Sequence, residues 1–210
     1  MERSEDFKTG LVRVAFSRDL FTPKEKANSA KKQYGCTLLI PKGPGVLAPY
    51  EKAIIEAGRK EHGEKFEQKF KDGLIKSPLL DGDGKQGMNK KTGERHLGYA
   101  GHWFIRPTSG EGFPPKVVDK RVMPIVNADF PDGLYSGCYV FAVINAYTWY
   151  NQENGHGISF GISMVQKAKD GEKLGGGGGA DVEKWAEVIE DEGEAPAETK
   201  SGSGAGGLFS

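Results

Sequence analysis

Cys138-Tyr-Val-Phe-Ala-Val-Ile-Asn-Ala-Tyr-Thr-Trp-Tyr150 alternates two kinds of side chain. The even positions Cys138, Val140, Ala142, Ile144 and Ala146 are small or aliphatic, while the odd positions Tyr139, Phe141, Val143, Asn145, Tyr147 and Trp149 are mostly aromatic. A period of two sustained this long predicts a strand, because successive side chains of an extended chain point to opposite faces. The small face suits the crowded inside of a barrel. The aromatic face is either covered by a helix and loops or offered to a ligand.

Working outward, residues 11–16, 33–40, 97–106, 116–126 and 157–166 share the enrichment in β-branched and aromatic residues, with Gly, Pro, Asn or Asp between them. One helix interrupts them: Tyr50-Glu-Lys-Ala-Ile-Ile-Glu-Ala opens after Pro49 and runs toward Gly63, with helical spacing continued to Phe66 and Phe70. Strands following strands with so little helix predict an antiparallel sheet or barrel. Five main strands with one inserted helix predict a mainly β fold, a partly open Greek-key barrel of the oligonucleotide/oligosaccharide-binding (OB) type.

Hydrophobic residues make up 37% of the chain and Gly 31 of 210 positions, so part of it is linker or tail rather than core. The predicted domain is 1–174. Residues 175–210 open on five consecutive glycines, run through an acidic stretch from Asp181 to Glu198 and end in Gly/Ser, the composition of a flexible linker and a disordered acidic tail. The formal net charge of +0 conceals an uneven split: residues 171–210 hold three Lys against nine acids, leaving −6 there and +6 on the rest. A basic body with an acidic tail is an arrangement found in nucleic-acid-binding proteins and, equally, in chains whose tail only solubilises. No apolar run reaches the roughly 20 residues of a membrane span, and the first residues lack the pattern of a signal peptide, so a soluble, non-secreted protein is expected. Cys36 and Cys138 each sit in an apolar run and read as buried, reduced thiols.

Gly82-Asp-Gly-Lys-Gln-Gly87 imitates a dinucleotide-binding loop, but a turn follows it where a helix is required. A calcium loop opening at Asp81 fails at its twelfth position, Thr92, and the four histidines have no zinc-ligand spacing. Asp81, Asp83, Glu94 and His96 are the residue types of a metal-dependent nuclease, and equally those of a solvated hairpin. The expectation is no catalytic residues, no metal and no cofactor. What remains is basic residues interleaved with aromatics on the predicted strands: Arg13 with Phe16, then Lys31, Lys32 and Tyr34, then Trp103, Phe104 and Arg106, then Tyr147, Trp149 and Tyr150. Single-stranded nucleic acid is held in this way, rings stacking on unpaired bases while Lys and Arg follow the phosphates. The candidate DNA-binding set is Lys31, Lys32, Tyr34, Trp103, Arg106, Tyr147, Trp149 and Tyr150.

Several segments in order, Leu38-Leu-Ile-Pro-Lys, Pro78-Leu-Leu-Asp-Gly-Asp, Gly98-Tyr-Ala-Gly-His-Trp-Phe-Ile-Arg, Tyr135-Ser-Gly-Cys-Tyr-Val, Ile144-Asn-Ala-Tyr and Gly157-Ile-Ser-Phe-Gly-Ile-Ser-Met-Val-Gln-Lys, resemble the single-stranded DNA-binding proteins of tailed phages and prophages. The resemblance spans about Leu11 to Leu174. It implies an OB fold, sequence-nonspecific binding of single-stranded DNA without catalysis, and a role in phage replication, recombination or repair in the cytoplasm of the infected host. The acidic tail is similar to those of replication single-strand binders and implies replication or recombination proteins as partners, while the sequence leaves monomer and dimer both open. The rival expectations are the nuclease just described and a virion structural or assembly protein.

Overall fold

The structure is a computed structural model that describes residues 1–25, 31–126 and 133–174. The predicted linker and tail, and the boundary that sets them off, lie outside the described residues. In chain order the first strands are β1 (Phe7–Lys8), β2 (Val12–Ala15), β3 (Lys24–Glu25), β4 (Lys32–Gly35) and β5 (Thr37–Pro41). Helices α1 (Ala48–His62) and α2 (Phe66–Lys71) follow, then β6 (Ile75–Lys76), β7 (Leu80–Asp81), β8 (His102–Ile105), β9 (Thr108–Gly110) and β10 (Lys116–Val118). Two long strands complete the described chain, β11 (Tyr139–Asn151) and β12 (Gly155–Lys169).

These strands form one sheet whose spine runs β4-β9-β12-β11-β2-β5-β8. It curls back on itself because β4 and β5 are two halves of one strand, parted at Cys36: β4 pairs with β9, while β5 pairs with β2 and β8. The bend brings Gly35 so close to the chain at Pro107 that a Cβ would stand 3.0 Å from the Pro107 carbonyl, a tight approach that glycine eases. The arrangement is the mainly β, partly open OB-type barrel that the strand pattern predicts.

The alternation in β11 is realised residue by residue. Cys138, Val140, Ala142, Ile144 and Ala146 are fully buried in the core, and the odd-numbered residues from Tyr139 to Trp149 are half-buried on the other face. Helix α1 closes one end of the barrel. Tyr50, Ala53, Ile54 and Ala57 recur at helical spacing and are buried, with the Tyr50 ring packed edge-on against Phe7 and Phe160. Each large apolar side chain buried in this way contributes about 1.5–3 kcal/mol.

Two of the predicted strands are shorter than expected. The stretch 97–101 is a succession of turns, with Gly98 and Gly101 at φ 79° and 70°, and the strand begins only at His102. The stretch 116–126 is a strand only to Val118, after which the Asp119 carboxylate accepts from the amides of Arg121 and Met123 and folds the chain back.

Candidate nucleic-acid interface

On the outer face of β2, β5 and β8 a second, small core forms from Ala15, Leu39, Tyr99 and Phe104, with Leu80 and Leu174 packed against it. That cover leaves part of this side of the sheet open. The uncovered part holds two adjoining hollows of about 280 Å³ each. Tyr34, Thr37, Arg106 and Thr108 line the first, Asn89, Arg95, Tyr99 and Leu174 the second, and Phe16 and His96 stand in the wall of both.

The chain from Gly82 to Gly101 forms the outer wall, and close backbone packing and ion pairs hold its shape. A Cβ on Gly82 would lie 2.1 Å from the Tyr99 carbonyl, and one on Gly87 the same distance from the Gly82 carbonyl, so the hairpin closes only with glycine at both places. Lys42 clamps its base, with Nζ 2.6 Å from Asp81 Oδ1 and 2.8 Å from Asp83 Oδ2, while Asp83 also accepts from the Gly101 amide. The Lys42 ammonium holds both carboxyls below the usual carboxylate range. The His96 amide donates to the Gly87 carbonyl. The result is a line of rings, Phe16 edge-to-face with His96 at 5.7 Å, His96 with Tyr99 at 5.1 Å, and Tyr99 with Phe104 at 4.9 Å. The Arg106 guanidinium continues it, 5.1 Å from the Phe104 ring.

This geometry weighs against the nuclease. Asp81 and Asp83 are engaged by Lys42, Glu94 is exposed, and the His96 ring is part of the aromatic line. Among the described residues no group of three or more His, Cys, Asp or Glu side chains is placed to hold a metal ion. Cys36 and Cys138 are free and buried, and burial pushes both thiols up, away from the thiolate that a nucleophile needs.

The eight candidate residues fall into three places. Tyr34 and Arg106 meet in the first hollow. Lys31 and Lys32 precede Tyr34 as exposed residues, and Lys32 shares Tyr34's face of β4. Trp103 belongs to the opposite face of β8: it packs against the main core, with Lys42 Nζ 4.6 Å from its ring centre. Tyr147, Trp149 and Tyr150 lie on the far half of β11. Trp149 donates through Nε1 to Ser159 Oγ at 2.9 Å, its ring lying against Gly157, and with Tyr150 it lines a separate cavity of about 270 Å³ beside Met1, Glu61 and His156. Tyr147 and Trp149 share the sheet face of Gly157, Ser159, Gly161 and Thr108, whereas Tyr34 pairs with Ser109 and Tyr150 with His156, which places both on the alternate face.

Phe16 and His96 are the residues that the candidate set omits. Strand alternation places Phe16 inside with Val12 and Val14, but its φ of 55° turns the ring outward, leaving it 48% exposed. A left-handed conformation at a bulky residue costs about 1 kcal/mol or more and persists where neighbours over-determine it. Here the Ser17 amide donates to Ser136 Oγ, the Asp19 amide to the Phe16 carbonyl, and the Val14 backbone is tied to Cys138 and Gly137.

Residues 5–195 match a family described as Enterobacter phage Enc34, ssDNA-binding protein. A relative, putative protein p50 of Acyrthosiphon pisum secondary endosymbiont phage 1, is 32% identical over 187 residues, which cover 86% of this chain and 92% of that protein. Among solved structures, the single-stranded DNA-binding protein from bacteriophage Enc34 in complex with ssDNA is 24% identical, with a TM-score of 0.60 over 81% of this chain and 89% of that one. The gp2.5 single-stranded DNA binding protein encoded by bacteriophage T7 is 13% identical, with a TM-score of 0.54 over 92% of this chain and 100% of that one. At these identities the two structures establish the shared fold.

Proposed function

The chain belongs to the family of the Enterobacter phage Enc34 ssDNA-binding protein, and from that premise we propose that it binds single-stranded DNA with little regard to sequence, as a binding protein rather than an enzyme. The observation that carries this reading is the groove on the outer barrel face, where the rings of Phe16, Tyr34 and His96 stand beside the guanidinium of Arg106. Flat apolar faces next to a cation suit an unpaired base joined to its phosphate, and every base has such a face. Lys31, Lys32 and Arg106 follow the phosphates; Tyr34 stacks in the groove; Tyr147, Trp149 and Tyr150 offer a second set of rings at the far half of β11. Trp103, turned to the core side, serves the groove as support for β8. Coating exposed strands in this way suits a role in phage replication, recombination or repair within the infected cell. Among the described residues no helix is long and apolar enough to cross a membrane.

Titrating labelled oligo(dT) with the full chain, with and without Mg²⁺, tests the reading. Retention without cleavage, preference over blunt duplex, and a slope of log K against log salt of roughly −3 to −4, from four to six phosphate contacts, are expected. Equal affinity for duplex, or Mg²⁺-dependent cleavage, overturns it.

A further inference from the structure

Phe16 separates two hollows of equal size, about 280 Å³ each, and is the one strained aromatic among the residues that line them. We propose that it is a wedge between two base subsites: successive bases of a bound strand part at Phe16, one entering the hollow of Tyr34, Thr37 and Arg106, the other that of Asn89, Arg95 and Tyr99. The proposal rests on the reading of the protein as a single-strand binder and goes beyond it by assigning the subsites and the residue that divides them.

Three observations carry it. Among the described residues the ring's one aromatic neighbour is His96, met edge to face at 82°, and the residue is 48% exposed. The backbone holds the ring outward against its own conformational preference, through the Ser17–Ser136 and Asp19–Phe16 hydrogen bonds, which is the mark of a position maintained for something other than packing. Each hollow also offers side chains that pair with base edges without dictating one base: Gln33 and Thr37 in the first, Asn89, Thr92 and Ser136 in the second, with one guanidinium apiece, Arg106 and Arg95. The rigid wall that carries His96 keeps the second hollow at a fixed distance from the first, so the step between the two bases is preset rather than induced.

The test uses the full chain with Phe16→Gly and Phe16→Trp. Glycine is at ease at φ 55°, so Phe16→Gly keeps or raises the melting temperature while oligo(dT) affinity falls roughly 5- to 150-fold, the loss of one stack. The salt slope stays unchanged, because no phosphate contact is removed. Phe16→Trp restores affinity, and an oligonucleotide carrying 5-iodouracil crosslinks to Phe16 in the wild type. Wild-type affinity in Phe16→Gly, a loss accompanied by a lower melting temperature or a shallower salt slope, or failure of Phe16→Trp to rescue each overturns the wedge. A wild-type protein that does not prefer single strands overturns the underlying reading instead, so the two failures are told apart.

Discussion

Arg106 leaves the end of β8 with its guanidinium over the buried Phe104 ring and its charge exposed to the first hollow. Replacing it with alanine removes a proposed phosphate partner and no core atom. Salt titration of oligo(dT) binding should show the slope shallower by about 0.7, with the melting temperature unchanged. Trp149 needs a different probe, because deleting its ring also strips the Ser159 hydrogen bond. A Cβ on Gly157 would stand 2.1 Å from the indole, so Gly157→Ala pushes the ring off its seat while keeping it. The expected result is a stability loss of about 1–3 kcal/mol by denaturant titration, together with weaker oligo(dT) binding. Unchanged affinity beside that stability loss removes Trp149 from the platform. A cation or ring adjacent in the sequence is what brings Tyr34 and Arg106 into the candidate set, and the structure places both at one hollow. The outward turn of the Phe16 ring has no such signal, because period-two reasoning assumes extended backbone and one left-handed residue reverses which face its ring takes.

The hairpin between Gly82 and Gly101 shows the same limit for an element. Asp81, Gly82, Asp83 and His96 look like chemistry in sequence, yet the carboxylates serve as anchors for Lys42 and the glycines permit close approach of backbone. A partner 39 residues away in sequence, as Lys42 is from Asp81, leaves no local signature. Both carboxyls are held below their ordinary values by Lys42. A depressed carboxyl contributes stability that is present above its unfolded pKa, about 3.9, and is lost as pH falls through its folded pKa. The Lys42 ammonium, raised by the same contacts, contributes stability that is present below about 10.4 and lost above its folded value. The clamp is therefore intact through the neutral range and opens only in acid, as pH falls through the depressed folded values of the two carboxyls. Lys42→Met should open it at neutral pH. Hydrogen exchange should then show the amides of His96 and Gly101 losing protection while those of β11 and β12 keep theirs. Equal protection in the variant would mean that the glycine packing alone holds the wall. Strand alternation made β2, β5, β11 and β12 legible; the turns at 97–101 and 119–126 were hidden because their composition is as aromatic and β-branched as that of a strand.

At the scale of the molecule, barrel closure depends on β4 and β5 serving both ends of one sheet and on parallel pairing of β9 and β10 with β12. Besides the family resemblance, strand count and helix placement pointed to it from sequence, since pairing between distant strands is set by register that no local pattern carries. Charge, by contrast, was fully legible. Residues 175–210 hold two Lys and eight acids, −6, so with a total of +0 residues 1–174 hold +6. The described chain reaches Leu174 in the wall of the second hollow, where its amide donates to the Ser136 carbonyl. The acidic residues that follow in sequence carry a charge opposite in sign to that of residues 1–174 and so would compete with phosphates for the same cations. Deleting 175–210 should tighten oligo(dT) binding several-fold near 0.01 M salt, where the screening length is about 30 Å. The gain should shrink toward nothing by about 0.15 M, where that length is about 8 Å, and the melting temperature should not change, because the deletion leaves every described contact in place. A truncated chain that binds no tighter at low salt would show that the acids do not compete with DNA. A gain that persists undiminished at high salt would show that the tail acts by contact rather than by charge.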